Sequence, residues 1–258
     1  MDLIKCEQLD AVTIIRMCFE SKMNALEKAF REALKSSLRA FNNDANSRVA
    51  ILTNTGKAFC AGGSLNEVGG GMSAAGGVDY MKDVNEIACI LTTLDKPVIA
   101  AVNGAAIGAG FNLALACDLV VAAENAIFSC GFAKIGLIPD FGGHYFLPRI
   151  VGMHKAKEVI FTGASLDAKK ACEMGFVNHV VPAQELMPFT MDLAAQIAAG
   201  PAKAIEMSKT ILSKSMERSL EDTLAYEAFA QAICFQSDDH KEGVKAFFEK
   251  RNPEFNRK

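Results

Sequence analysis

Short runs of apolar and β-branched residues recur along the first 182 positions of the chain. Each run is nearly continuous in its apolar character, which is typical of a strand buried on both faces of a parallel sheet. Turn-forming residues or helical stretches separate one run from the next. The pattern therefore predicts five buried strands, in the runs "AVTIIRM" (11–17), "VAILTN" (49–54), "PVIAAVNG" (97–104), "DLVVAAENAIFSC" (118–130) and "VNHVVP" (177–182).

Apolar residues recur at spacings of three and four between the predicted strands. Residues 25–42 have this spacing, and residues 79–94 repeat it. It is the period of a helix with one apolar face. A third, shorter helix is expected from about residue 108 to residue 117, directly after a glycine-rich turn. Strands that alternate with helices predict an α/β fold with a largely parallel sheet.

After residue 182 the chain contains helical patterns without a strand between them. We therefore predict two parts, an α/β core over residues 1–185 that carries the functional site, and a C-terminal helical region over residues 186–258. Helices with an apolar face pack onto the core or onto a neighbouring subunit. Within the core, the glycine-rich segment "GGGMSAAGG" (69–77) is predicted to be a mobile loop beside the site.

Composition and charge narrow the classes of function. The net charge is −3 and the lysines and arginines form no basic run, so we expect no nucleic-acid partner. The eight cysteines form no CxxC pair and the four histidines lack metal-ligand spacing, which predicts reduced thiols and no metal site. The N-terminal stretch "MDLIKCEQLD" does not read as a secretory leader, and no apolar stretch reads as a membrane span. A cytoplasmic protein is expected.

Two glycine-rich turns are the first candidates for chemistry. The turn in "AFCAGGSL" (58–65) follows the second predicted strand, and the turn in "NGAAIGAGFNLAL" (103–115) follows the third and runs into a helix. Unpaired backbone N–H groups at such turns bind a phosphate or an oxyanion. A phosphate-binding P-loop is excluded because no GK[ST] string occurs, and Leu113 stands where a dinucleotide fingerprint needs its third glycine. Close backbone packing is the alternative for either turn alone.

Six ordered segments resemble the enoyl-CoA hydratase/isomerase family, also called the crotonase family. The resemblance implies a ClpP-like spiral of ββα repeats and a C-terminal helical trimerisation region, hence a homotrimer or a dimer of trimers. It also implies an acyl-CoA thioester substrate, so that CoA arrives as part of the substrate and no separate cofactor is expected. The segments are "MNALEKAF", "GKAFCAGGSLNEV", "DKPVIAAVNGAAIGAGFNLALACDLVVAAENAIFS", "KIGLIPDFGG…LPRIVG", "FTGASLDAKKACEMGFVNHVVP" and "FFEKRNPEF".

By the family's pattern, the backbone N–H groups of Gly63 and Ala109 form an oxyanion hole. Removal of a proton beside a thioester carbonyl places charge on the carbonyl oxygen, and two fixed donors stabilise that charge. The remaining contacts implied by the resemblance belong to CoA and the acyl chain. CoA is expected along the backbone of Ala61–Leu65, which includes Gly62, and the acyl chain against Phe132 and Phe141. Lys22, Lys57 and Lys250 are candidate partners for the CoA phosphates.

The positions of the catalytic carboxylates distinguish the reactions of the family. Its hydratases use two glutamates to activate water, and Asn112 and Phe132 stand at those two places in this chain. Neither residue abstracts a proton, although both are expected to contact the substrate. Asp140, in "GLIPD", stands where double-bond isomerases of the family carry their single acid. The apolar neighbours Leu137, Ile138 and Phe141 are expected to raise its pKa into the range of a useful base.

The predicted activity is therefore a double-bond isomerase that converts a 3-enoyl-CoA to a 2-enoyl-CoA. Asp140 shuttles the proton, while Gly63 and Ala109 hold the enolate. One alternative is a hydratase or another lyase of the same fold. A second alternative is a non-catalytic, crotonase-like protein that binds acyl-CoA or RNA, although the charge of −3 opposes RNA.

Overall fold

Residues 2–255 are described in a computed structural model of the chain. They form ten strands and eleven α-helices. The strands are β1 (Ile4–Leu9), β2 (Val12–Met17), β3 (Val49–Asn54), β4 (Ala58–Cys60), β5 (Val98–Val102), β6 (Ala105–Ile107), β7 (Leu119–Ala123), β8 (Ile127–Ser129), β9 (Ser165–Asp167) and β10 (His179–Val181). The helices are α1 (Lys28–Asn43), α2 (Leu65–Val68), α3 (Ala74–Thr93), α4 (Ala109–Leu115), α5 (Gly143–Val151), α6 (Met153–Thr162), α7 (Ala168–Glu173), α8 (Leu186–Ala198), α9 (Ala202–Ser215), α10 (Leu220–Phe235) and α11 (Asp238–Glu249).

The strands form two sheets that share the same repeating units. The larger sheet has the order β1-β2-β3-β5-β7-β10 and is parallel except for the β1–β2 pair. The smaller sheet has the order β4-β6-β8-β9 and is parallel except for the β8–β9 pair. The successive pairs β3–β4, β5–β6 and β7–β8 each give one strand to the large sheet and the next to the small sheet. This is the spiral of ββα units that the sequence predicted.

The predicted run 97–104 contains one strand, whereas the run 118–130 is divided into two. The run 97–104 contains β5; the chain then leaves the large sheet at Gly104, and the unpredicted strand β6 begins at Ala105. A Cβ on Gly104 would lie 2.1 Å from the carbonyl oxygen of Lys57, so only glycine allows this close backbone crossing. The run 118–130 becomes β7 and β8, with a turn in which the Ala126 N–H donates to the Ala123 carbonyl at 2.9 Å. The prediction of one strand over residues 118–130 was therefore wrong.

Helix α3 begins earlier than the sequence pattern indicated. The side chain of Ser73 accepts a hydrogen bond from the Gly76 N–H at 3.1 Å, which caps the first turn. Residues 74–77 of the predicted mobile loop are therefore helical, and that part of the prediction was wrong. Residues 69–73 form the turn between α2 and α3.

The hydrophobic core has two layers, one on each face of the large sheet. The larger cluster lies between the two sheets and helices α1, α3 and α4, and includes Phe30, Phe59 and Phe111. The smaller cluster lies on the opposite face, where Ala194 and the rest of the apolar face of α8 cover the strands. The predicted boundary at residues 185 and 186 coincides with the start of α8, which shares the core of the strands.

Helices α9 to α11 form the remainder of the predicted C-terminal region, after α8. Lys209 on α9 joins this region to the large sheet, because its Nζ donates to Asp118 Oδ2 at 2.7 Å. Several phenylalanines on α10 and α11 are exposed in the single chain, among them Phe229 at 73%, Phe247 at 79% and Phe248 at 77%. Within residues 2–255, no helix combines the length and the apolar character needed to cross a lipid bilayer.

Candidate active site

The backbones of the two glycine-rich turns are in contact with each other, and a cavity lies above them. A Cβ on Gly62 would lie 2.6 Å from the carbonyl oxygen of Ile107, and a Cβ on Gly110 would lie 2.0 Å from that of Cys60. Gly62 also has a φ of +86°, which favours glycine. Glycine at both positions therefore lets the turn after β4 contact the turn before α4. Residues of both turns line one cavity at this contact.

The cavity above the turns has a volume of about 640 Å³. Its wall is largely apolar, and Tyr80, Asn85 and Asp140 supply the polar side chains among the described lining residues. This combination of apolar walls and a few polar groups is typical of a small-molecule site. The apolar lining side chains are Ala61, Leu65, Val68, Met72, Met81, Ile107, Ala109, Phe132, Ile135, Leu137, Ile138 and Pro139.

Gly63 and Ala109 bring two backbone N–H groups to the cavity. Both residues line it, and neither N–H donates to another residue within the described chain. Neighbouring amides are occupied: the N–H of Ala61 donates to a carbonyl at 3.0 Å and the N–H of Gly108 does so at 2.8 Å. The two turns thus leave the two amides that the sequence predicted available for a ligand oxygen.

Asp140 lies in the wall of the same cavity and is partly buried. Its Oδ1 atom is buried and has no hydrogen-bond partner among the described residues. Burial raises the pKa of the Asp140 carboxyl to about 6, although its own backbone N–H opposes part of this effect. The carboxyl therefore loses its proton just below neutral pH. That property suits a group that takes up and returns a proton.

The surroundings of Asp140 differ in part from the sequence prediction. Phe141 is completely buried, but Leu137 is 48% exposed and Ile138 is 75% exposed in the single chain. Both exposed side chains line the cavity together with Asp140. The apolar groups near the carboxyl therefore belong partly to the buried core and partly to the exposed wall of the cavity.

Six of the nine predicted site residues line the cavity, and three do not. The lining residues are Asp140, Gly63, Ala109, Ala61, Leu65 and Phe132. Gly62 is the residue of the first turn that packs against the second turn, and Phe141 belongs to the core because it is fully buried. Asn112 is 1% exposed, and its side-chain amide donates to the Asp140 carbonyl at 2.8 Å. The structure therefore corrects the prediction that the side chains of Asn112 and Phe141 contact the substrate, while the predicted contact of CoA with the backbone of Gly62 stays a prediction.

Sequence reasoning missed the contribution of helix α3. Tyr80, Met81 and Asn85 line the cavity from this helix. The hydroxyl of Tyr80 is buried without a partner among the described residues, and burial raises its pKa. One signal was available in the sequence, because Asn85 is a polar residue on the face that also carries Met81 and Val84.

A buried arginine holds the α2–α3 side of the cavity in place. The side chain of Arg31 on α1 is 3% exposed and donates to Glu67 at 2.8 Å and to Asp83 at 2.7 Å. Glu67 belongs to α2 and Asp83 to α3. Arg31 also lies over the ring of Tyr80, with 4.9 Å between the guanidinium carbon and the ring centroid. The ion pairs of Arg31 with Glu67 and Asp83 thus attach the α2–α3 side of the cavity to α1.

The candidate contacts to the CoA phosphates have no further support in the geometry. Lys22, Lys57 and Lys250 are not among the residues that line the described cavity. Lys22 pairs instead with Glu27, at 3.6 Å. Within residues 2–255, no group of three or more His, Cys, Asp or Glu side chains is arranged to hold a metal ion.

Comparison with known proteins adds independent information. Residues 7–258 match the family described as enoyl-CoA hydratase/isomerase. A "probable enoyl-CoA hydratase" of Rhodobacter capsulatus is 38% identical over 256 residues, which cover 98% of this chain and 97% of that protein. A "1,2-epoxyphenylacetyl-CoA isomerase" of Escherichia coli is 35% identical over 237 residues, which cover 91% of this chain and 90% of that protein.

A solved structure extends this likeness to the fold. The enoyl-CoA hydratase from Bacillus anthracis overlaps with a TM-score of 0.93 at 36% identity, and the overlap covers 98% of each chain. The expected fold class, a ββα spiral followed by C-terminal helices, is thereby confirmed.

Proposed function

This chain belongs to the enoyl-CoA hydratase/isomerase family, and we propose that it is an isomerase. It moves the double bond of a 3-enoyl-CoA into conjugation with the thioester, which gives the 2-enoyl-CoA. The observation that carries this proposal is Asp140, a partly buried carboxyl that is the only acid among the described residues of the cavity wall.

The reaction needs one base and one place for negative charge. The Asp140 carboxylate removes a proton from C2 of the 3-enoyl thioester, and the electrons of that C–H bond delocalise onto the thioester oxygen. The N–H groups of Gly63 and Ala109 donate to this oxygen in the dienolate. Asp140 then returns a proton to C4, which shifts the double bond to the 2-position and regenerates the carboxylate. Atoms and charge balance without a second acid.

The raised pKa of Asp140 suits both halves of this cycle. A carboxyl with a pKa of about 6 is largely ionised at pH 7 to 8, so it is ready to accept a proton. It is also more basic than an ordinary aspartate, so its pKa differs less from that of the weakly acidic C2 proton. A base placed in this way contributes roughly 10² to 10⁴ in rate, and each oxyanion donor about 10² to 10³.

Hydration of a 2-enoyl-CoA is the second candidate function, because several relatives carry the name hydratase. Addition of water in this family's hydratases depends on two glutamates. Asn112 and Phe132 occupy those places here, and neither side chain can accept a proton from water. We therefore propose that hydration is slow or absent, and that Phe132 in the wall contacts the acyl chain instead.

The remaining parts of the proposal concern the ligand and the assembly. CoA enters as part of the substrate, so turnover needs no added cofactor or metal. A homotrimer or a dimer of trimers is supported by the exposed apolar side chains of α10 and α11, because patches of this kind are usually covered by another subunit.

The test compares the wild type with Asp140→Asn on a 3-enoyl-CoA, followed by the absorbance of the conjugated product. We expect kcat to fall by roughly 10³-fold, with the affinity for a saturated acyl-CoA unchanged in a calorimetric titration. Asp79→Asn is the matched control, since the Asp79 side chain is 77% exposed, pairs with Lys82 at 3.2 Å and does not line the described cavity. Wild-type turnover in Asp140→Asn would refute the proposed role, and a wild type that binds acyl-CoA without any turnover would favour a binding protein.

A further inference from the structure

The peptide group that follows Asp140 is held from two sides by two asparagine side chains. Nδ2 of Asn112, on α4, donates to the carbonyl oxygen of Asp140 at 2.8 Å. Oδ1 of Asn85, on α3, accepts from the N–H of Phe141 at 3.1 Å. The two amides therefore bind the two polar atoms of one peptide group, and they do so from two different helices.

The backbone at this peptide is in a conformation that needs support. Phe141 has a φ of +52° and Gly142 a φ of +81°, so two successive residues are left-handed. This region is unfavourable for a residue with a side chain as large as that of phenylalanine. The Gly143 N–H donates a second bond to the Asp140 carbonyl, at 2.8 Å, which is the third bond to this peptide group. Without such bonds, the chain would relax and carry the Asp140 side chain with it.

Asn112 fits this place closely, although only part of its amide is used. A Cβ on Gly143 would lie 2.5 Å from Nδ2 of Asn112, so glycine is required for the approach. Oδ1 of Asn112 is buried and has no partner among the described residues. An unpaired buried acceptor is unfavourable, and a leucine of similar size would avoid that cost. The presence of asparagine is explained by the bond that its Nδ2 makes to Asp140.

We infer that Asn85 and Asn112 are positioning residues that clamp the Asp140–Phe141 peptide and thereby aim the Asp140 carboxylate at the substrate. The inference rests on the proposed function of Asp140 as the base. Asn85 also lines the cavity, so the clamp fixes the base relative to the part of the cavity wall that α3 forms. The clamp is made through backbone atoms, and its residues act through Asp140 rather than on the reacting atoms.

The test uses Asn112→Leu, which removes the donor, and Asn85→Leu, which removes the acceptor. We expect each to lower kcat for a 3-enoyl-CoA by about 10²-fold with KM within about threefold, as a displacement of about 1 Å from the reacting atom does. The acid limb of the pH profile of kcat/KM should also move to lower pH, because a released carboxyl is better solvated. Asn85→Asp keeps the acceptor, so it should retain kcat at high pH while its added charge moves the acid limb upward.

Asn178→Leu is the matched control, because the Asn178 side chain accepts a backbone hydrogen bond from Val120 at 2.8 Å but does not line the cavity. It should lower the melting temperature and leave kcat and the pH profile unchanged. All variants are assayed well below their melting temperatures, with folding checked by circular dichroism. Wild-type kcat and pH profile in both Asn112→Leu and Asn85→Leu would overturn the inference.

Asp140→Asn, measured alongside, separates this inference from the proposed function. If Asp140→Asn retains the wild-type rate, or if the wild type does not isomerise, the proposed function fails. The clamp is then decided without turnover, by ¹³C NMR titration of labelled aspartate, with the Asp140 signal identified by its loss in Asp140→Asn. The clamp predicts that the pKa of Asp140 falls toward the ordinary value in both leucine variants, and an unchanged titration overturns it.

Discussion

Replacement of Asp140 by asparagine is predicted to stabilise the fold above pH 6 while it removes the base. The reason is that the wild-type carboxyl must ionise inside a largely apolar wall. Its pKa is about 6 in the folded chain against an ordinary value of 3.8, so the folded state binds the proton more tightly than the unfolded state does. Wild-type stability therefore falls as the pH rises from about 4 to about 6, and asparagine has no proton to lose.

The size of the effect follows from the two pKa values. The difference between about 6 and 3.8, at 1.36 kcal/mol for each unit, corresponds to at most about 3 kcal/mol above pH 6. Asp140 is only partly buried and lines an open cavity, so solvent screens part of this cost. We expect Asp140→Asn to be more stable than the wild type by roughly 1 to 3 kcal/mol at pH 8, and about equal to it at pH 4.

Denaturant unfolding at fixed protein concentration, followed by circular dichroism at pH 4, 6 and 8, measures this difference. Asp118→Asn is a control of opposite sign, because Asp118 pairs with the buried Lys209 at 2.7 Å and also accepts from the Val98 N–H at 2.7 Å. That variant should be less stable than the wild type at pH 8. If Asp140→Asn were equally stable or less stable at pH 8, the burial argument for Asp140 would be wrong.

Three further predictions concern the chemistry and the assembly. The acid limb of kcat/KM for the wild type should have an apparent pKa of about 6, and a limb near pH 4 would contradict the burial of Asp140. Ala109→Pro removes one predicted oxyanion donor at the first position of α4, where proline is tolerated, and should lower kcat by about 10²- to 10³-fold. Circular dichroism checks that this variant is folded, and unchanged turnover would exclude the Ala109 N–H from the reaction. The double variant Phe247→Ser, Phe248→Ser should sediment as a monomer while the wild type sediments at three or six times the monomer mass. A wild-type monomer would contradict the trimer.

The parts of the site that lie on the glycine-rich turns could be predicted from the sequence. The order of strand, turn and helix brings Gly63 and Ala109 together, because the two turns follow neighbouring repeats of the spiral. Asp140 could be located by its position in the "GLIPD" string. The turns themselves can be read from the chain, whereas the roles of Gly63, Ala109 and Asp140 were implied by the resemblance to the enoyl-CoA hydratase/isomerase family.

The parts that depend on long-range packing could not be predicted. Asn112 turns away from the cavity because Gly143 leaves room for its amide against the Asp140 carbonyl. That contact joins residues 28 positions apart, and no local pattern indicates it. Tyr80 and Asn85 line the cavity because α3 packs beside it, and this packing is a long-range feature.

Helices α5 to α7 were missed for a different reason. They are short, with nine, ten and six residues, so each offers few repeats of the helical period. Pro148 lies inside α5, and Gly152 and Gly163 end the first two of these helices. Residues that usually break helices therefore interrupt the pattern in this region.

The most direct test of the central claim is the ratio of two initial rates on one preparation of the wild type. One rate is the isomerisation of a 3-enoyl-CoA, and the other is the hydration of the 2-enoyl-CoA of the same chain length. A single base at Asp140, with Asn112 and Phe132 in place of the water-activating acids, predicts isomerisation faster than hydration by at least about 10²-fold. Hydration as fast as isomerisation would contradict the account.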